Sequence, residues 1–71
     1  MSVQTFSVTG MTCEHCVRAV ETEVGALPGV SGVNVELAAG GTSTVQVTAD
    51  AELSRDQVAA ALDEAGDYRL A

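Results

Sequence analysis

Hydrophobic positions along this chain alternate between two periods. From Val3 to Thr9 the residues are rich in Thr and Val, and Phe6 and Val8 fall on one face, which predicts a strand. From about Cys13 to Leu27 the apolar residues Val17, Val20, Val24 and Leu27 recur at helical spacing. Gly25, Pro28 and Gly29 mark the exit from that helix. Val30 to Leu37 alternates again, with Val33, Val35 and Leu37 on one side. Ala38-Ala39-Gly40-Gly41-Thr42 reads as a hairpin-like turn. A third strand follows from Thr44 to Ala49, with Val45 and Val47 inward. Ser54 and Gln57 have the spacing of a capping box, opening a helix whose stripe is Val58, Ala61, Leu62 and Ala65. Gly66 closes it, and Asp67 to Leu70 is expected to form a short last strand.

The predicted order is βαββαβ. Two helices with one apolar stripe each must cover one face of an antiparallel sheet. The split βαβ arrangement does this with right-handed crossovers, an α+β sandwich with the first and third strands central. The fourth strand is expected at an edge beside the first. No linker, low-complexity tract or composition shift divides the chain, so residues 1–71 are expected to be one domain. A chain of 71 residues buries only about 60% of its unfolded surface. Phe6 and Tyr68 are the only aromatics, so Val, Leu and Ala supply the packing.

Charge narrows the possible partners. The formal net charge is −7, lysine is absent, and Arg18, Arg55 and Arg69 are the only basic residues apart from one histidine. No cluster of cations exists to neutralise phosphates, which argues against nucleic acid and against an anionic membrane surface. No stretch is long and apolar enough for membrane insertion. Met1 to Thr9 has neither a basic start nor an apolar centre, so it does not read as a secretory signal, and the cytoplasm is the expected location. No nucleophile–base pair or phosphate loop is visible, so the chain does not read as an enzyme.

The chemistry concentrates in Gly10-Met11-Thr12-Cys13-Glu14-His15-Cys16, which joins the first strand to the first helix. In a reducing compartment a cysteine pair of this kind serves metal binding or redox work rather than a structural disulfide. A pair straddling a helix start lies where free N–H groups and the helix dipole favour thiolate. Cu(I) is soft and prefers thiolates. Zinc usually takes four ligands, and this chain offers two cysteines with His15 and Met11 as the nearest supplements. Haem attachment needs a histidine after the second cysteine, where Val17 stands. A thioredoxin-like dithiol is the redox alternative. His15 stands between the two cysteines, where it can stabilise a thiolate or add a ligand, so it is read as a modulator ahead of a third ligand.

This loop resembles the metal-binding loop of the heavy-metal-associated domain family. That family includes small bacterial copper chaperones and the N-terminal domains of copper-transporting P-type ATPases. Length, element order and loop position agree over nearly the whole chain. The resemblance implies a ferredoxin-like fold, Cu(I) held by Cys13 and Cys16, and handover by ligand exchange to a copper-transporting P-type ATPase. A copper-responsive repressor is a second recipient, and exposed thiolates allow a copper-bridged homodimer. It further implies that Met11 turns inward and braces the loop. Bacterial members often carry a tyrosine near the metal loop, directly after a glycine. Here Asp67 separates Gly66 from Tyr68, which leaves open whether Tyr68 faces the metal. Met1 and Ala71 bracket the predicted elements, which favours a small free protein over a module of a larger ATPase. Mercury and zinc are the alternative metals. Glu14, Glu21 and Glu23 are read as a solvated face able to assist docking.

Overall fold

The computed structural model describes residues 2–38 and 40–71. Ala39, in the turn expected at 38–42, lies outside the described residues, as does Met1. The elements are β1 (Ser2–Thr9), α1 (Glu14–Gly25), β2 (Val30–Glu36), β3 (Thr42–Ala49), α2 (Arg55–Ala65) and β4 (Arg69–Leu70). The sheet order is β2-β3-β1-β4, and every adjacent pair is antiparallel. This is the split βαβ order that the periodicity predicts, with β1 and β3 central.

Strand alternation decides which side chains meet the helices. Phe6 and Val8 of β1 and Val45, Val47 and Ala49 of β3 are buried. They meet Val20 and Val24 of α1 and Val58, Ala61 and Leu62 of α2. Val33 and Val35, on the edge strand β2, are only half-buried against that core. The opposite parity is solvent-facing and includes Val3.

α2 begins at the expected capping box. Ser54 Oγ accepts from the Gln57 N–H at 3.1 Å, and Gln57 Oε1 accepts from the Ser54 N–H at 2.9 Å. The Gln4 side chain anchors the approach to that helix. Its amide donates to the Leu53 carbonyl at 3.1 Å, and its oxygen accepts from the Leu53 N–H at 2.7 Å.

Several expected boundaries shift: β1 begins at Ser2 rather than Val3, α1 ends at Gly25 rather than Leu27, β2 ends at Glu36 rather than Leu37, and β3 begins at Thr42 rather than Thr44. The start of α1 and the extent of β4 shift for local reasons. α1 starts at Glu14 rather than Cys13, because Cys13 has extended backbone and is the cap. β4 has two residues rather than the four expected at Asp67–Leu70. Only Val8↔Leu70 and Thr9↔Arg69 pair, continued by the Ala71 N–H to the Ser7 carbonyl at 2.8 Å. Asp67 and Tyr68 are instead occupied in passing Gly10. A Cβ on Gly10 would lie 2.8 Å from the Asp67 carbonyl oxygen. Gly10 also has φ +98, a conformation that side-chain-bearing residues rarely adopt.

Candidate metal centre

β1 ends at Thr9, the chain turns through Gly10, and α1 begins at Glu14. Cys13 is therefore the N-cap, and Cys16 is the third residue of the helix. In a capping box the side chains at these two positions converge. Here both carry sulfur, and Cys13 Sγ lies 3.9 Å from Cys16 Sγ. The Cys13 side chain makes no capping hydrogen bond, while its carbonyl accepts from the Cys16 N–H at 3.1 Å and the Val17 N–H at 3.3 Å. The helix start is thus secured by main chain, and both sulfurs stay free. Cys13 is exposed and Cys16 half-buried.

The surroundings of Cys16 favour its thiolate. The thiol is lowered from an ordinary value of 9.0 to about 6. A backbone hydrogen bond from Thr12 is the largest cause, followed by the Tyr68 hydroxyl and a backbone hydrogen bond from Cys13. Burial opposes the shift, and the Thr12 side chain adds to it, with Oγ1 3.8 Å from the sulfur. The same approach pushes Tyr68 up to about 12, because its proton is shared toward Cys16 and a phenolate there would face negative sulfur.

Tyr68 thus lies beside Cys16 despite the residue inserted after Gly66. Strand parity does not apply to it, because it precedes β4. Its ring folds back over Gly66, where a Cβ would come within 2.9 Å of Cε2 and 3.2 Å of Cζ. Its other side meets Gly10, where a Cβ would lie 3.6 Å from Cδ1. Gly66→Ala is expected to displace the ring and remove the second-largest influence on Cys16. The midpoint of Cys16 alkylation against pH, about 6 in the parent protein, then moves upward. Tyr68→Phe is expected to move it in the same direction, and an unchanged midpoint in both variants would separate the hydroxyl from the sulfur.

The other residues singled out in the sequence occupy different positions. Met11 is turned fully inward, with 0% exposure, and belongs to the core between sheet and helices. His15 is exposed on the first turn of α1. Among the described residues, no group of three or more His, Cys, Asp or Glu side chains converges as a metal cage. Thr12 joins the site unannounced by the sequence, where its place beside the first cysteine is its one signal. Gly66, expected as a helix stop and as the glycine before the tyrosine, also makes room for the Tyr68 ring.

Residues 5–67 match the model of the heavy-metal-associated domain. The chain is 48% identical over 67 residues to the copper chaperone CopZ of Bacillus subtilis, covering 93% of each. It is 43% identical over 61 residues to copper-transporting ATPase 2 of Rhizobium meliloti, covering 86% of this chain and 7% of that protein. A solved CopZ metallochaperone superposes with a TM-score of 0.75 at 30% identity, covering 99% of this chain and 100% of that one.

Proposed function

The chain belongs to the heavy-metal-associated domain family, and on that premise we propose that it is a cytoplasmic Cu(I) chaperone, a carrier rather than an enzyme. The observation that carries the reading is the convergence of two free sulfurs, 3.9 Å apart, at an accessible rim. That separation is well beyond the ~2.05 Å of a disulfide. It falls below the ~4.6 Å two thiolates would span across a metal at about 2.3 Å from each. A soft monovalent ion between two thiolates satisfies the charge preference of the helix start and leaves a coordination position open.

Cys13 and Cys16 would hold the ion, and an incoming thiolate of the recipient would attack it from the exposed side. The ion passes once the recipient's second sulfur has displaced one of Cys13 and Cys16 and the other has then dissociated. A copper-transporting P-type ATPase is the proposed recipient, supported by the similarity to a segment of such a protein. That same match supports the second reading, a metal-binding module within a longer ATPase. Membrane-spanning segments encoded in the same gene would decide for the module. Among the described residues, no helix is long and apolar enough to cross a membrane.

Anaerobic titration of the reduced protein with Cu(I) against a competing chelator tests the proposal. About one tightly held copper per chain is expected. Failure to compete for Cu(I) would defeat it, and preferential retention of Hg(II) or Zn(II) would transfer the site to another metal. Sizing across copper loading reads out a copper-bridged homodimer. Protons compete with metal for the sulfurs. Because Cys16 is held near 6, the apparent affinity for Cu(I) should weaken progressively as pH falls below about 6. His15→Ala should keep copper while altering that pH profile; complete loss of binding would make His15 a ligand instead.

A further inference from the structure

We infer that Ser43 is a positioning residue for the cysteine loop: its buried hydroxyl shapes the β2–β3 turn, and that turn holds the main chain of Met11. Ser43 shares the inward parity of Val45, Val47 and Ala49 and lies opposite Val8 in β1. It is 0% exposed and is the buried polar residue of the described core. A hydroxyl at such a position is retained when it has a partner. Ser43 Oγ accepts from the Ala38 N–H at 3.0 Å.

That bond ties the start of the turn to the start of β3. The Ala38 carbonyl in turn accepts from the Gly41 N–H at 2.9 Å. Gly40 lies between these bonds with φ +75, and its N–H donates to the Met11 carbonyl at 3.4 Å. Met11 is two residues before Cys13. Its side chain is fixed in the core and its carbonyl is held by the turn, so the loop is gripped on both sides. The Met11–Gly40 bond is long, so its persistence depends on the turn being held in shape from behind.

The effect on copper exchange rests on the proposed chaperone function; the effect on the loop does not. Ser43→Thr and Ser43→Val are the informative pair, since the two replacements are nearly isosteric and differ in the hydroxyl. Amide hydrogen exchange is measured first, on reduced, metal-free protein. Gly40 should exchange about fivefold faster in Ser43→Val than in Ser43→Thr, the factor for one ordinary hydrogen bond, while Val47 in mid-strand is unchanged between them. Cu(I) transfer to a bathocuproine-type chelator should be several-fold faster in Ser43→Val, with Ser43→Thr close to the parent.

Equal Gly40 exchange in the two variants would overturn the inference. So would a loss of protection shared equally by Val47, which marks a packing role alone. Should Ser43→Val fail to fold, Gly40 exchange in the parent protein at the intrinsic rate of an unstructured chain would overturn it as well. If the parent protein ignores Cu(I) while the exchange pattern holds, the chaperone reading fails and the positioning role stands.

Discussion

Serine at either Cys13 or Cys16 is expected to lower Cu(I) affinity by well over 100-fold. Loss of an outer partner of a metal ligand already reduces affinity by about 10–100-fold. Loss of one of two sulfurs removes half of the proposed donor set, and a hydroxyl is a poor substitute for a soft cation. The fold should change little, because neither cysteine side chain caps α1 and only the half-buried Cys16 packs against the edge of the core. Chelator competition and a thermal melt on the same samples check both halves. The variants should differ in one respect. Cys13→Ser leaves the acidified thiol of Cys16 with its Thr12 and Tyr68 partners, so rapid alkylation at neutral pH should persist there. Cys16→Ser should abolish that rapid phase. Copper binding at parental strength in either variant would mean that the ion is held elsewhere.

Met11→Ala should produce the largest loss of stability, because it empties a fully buried position at the end of a thin core. Large-to-small changes of this kind cost about 2–5 kcal/mol. Total stability for 71 residues, at roughly 0.1 kcal/mol per residue, is about 7 kcal/mol. The melting temperature should therefore fall by at least about 10 °C. The damage should reach the site as well, since Met11 precedes Cys13 by two residues and its carbonyl is bonded to Gly40. Copper should recover part of the lost stability by binding the folded form. Met11→Leu, with similar volume, should restore most of both properties. A melt unchanged by Met11→Ala would contradict the bracing role.

Periodicity made the elements legible because each has one buried face. The helical recurrence of Val17, Val20 and Val24 and the alternation of Val45 and Val47 have few other solutions. The capping box at Ser54 fixed the start of α2 from two residues alone. The end of the chain was less legible. Whether Asp67 and Tyr68 join β4 depends on how closely the main chain passes Gly10, a contact between residues nearly sixty positions apart. Tyr68 could not be placed by strand parity for the same reason: its ring lies in a gap that Gly66 and Gly10 leave by lacking side chains. The cysteine loop was visible as a motif, but the cap-and-third-residue geometry that joins its sulfurs needed the helix start to the residue. Ser43 escaped the pattern because the third strand expected from Thr44 begins two residues earlier, at Thr42, which hid the parity of Ser43 with Val45.

The two-residue length of β4 has a practical consequence. The phenol that acidifies Cys16 is tethered by two strand pairs and the Ala71–Ser7 bond. Fraying of so short a hem would carry Tyr68 away and return the thiol toward its ordinary proton affinity. Affinity tags are therefore better fused at the opposite terminus, and sulfur reactivity doubles as a gauge of whether the tail is seated.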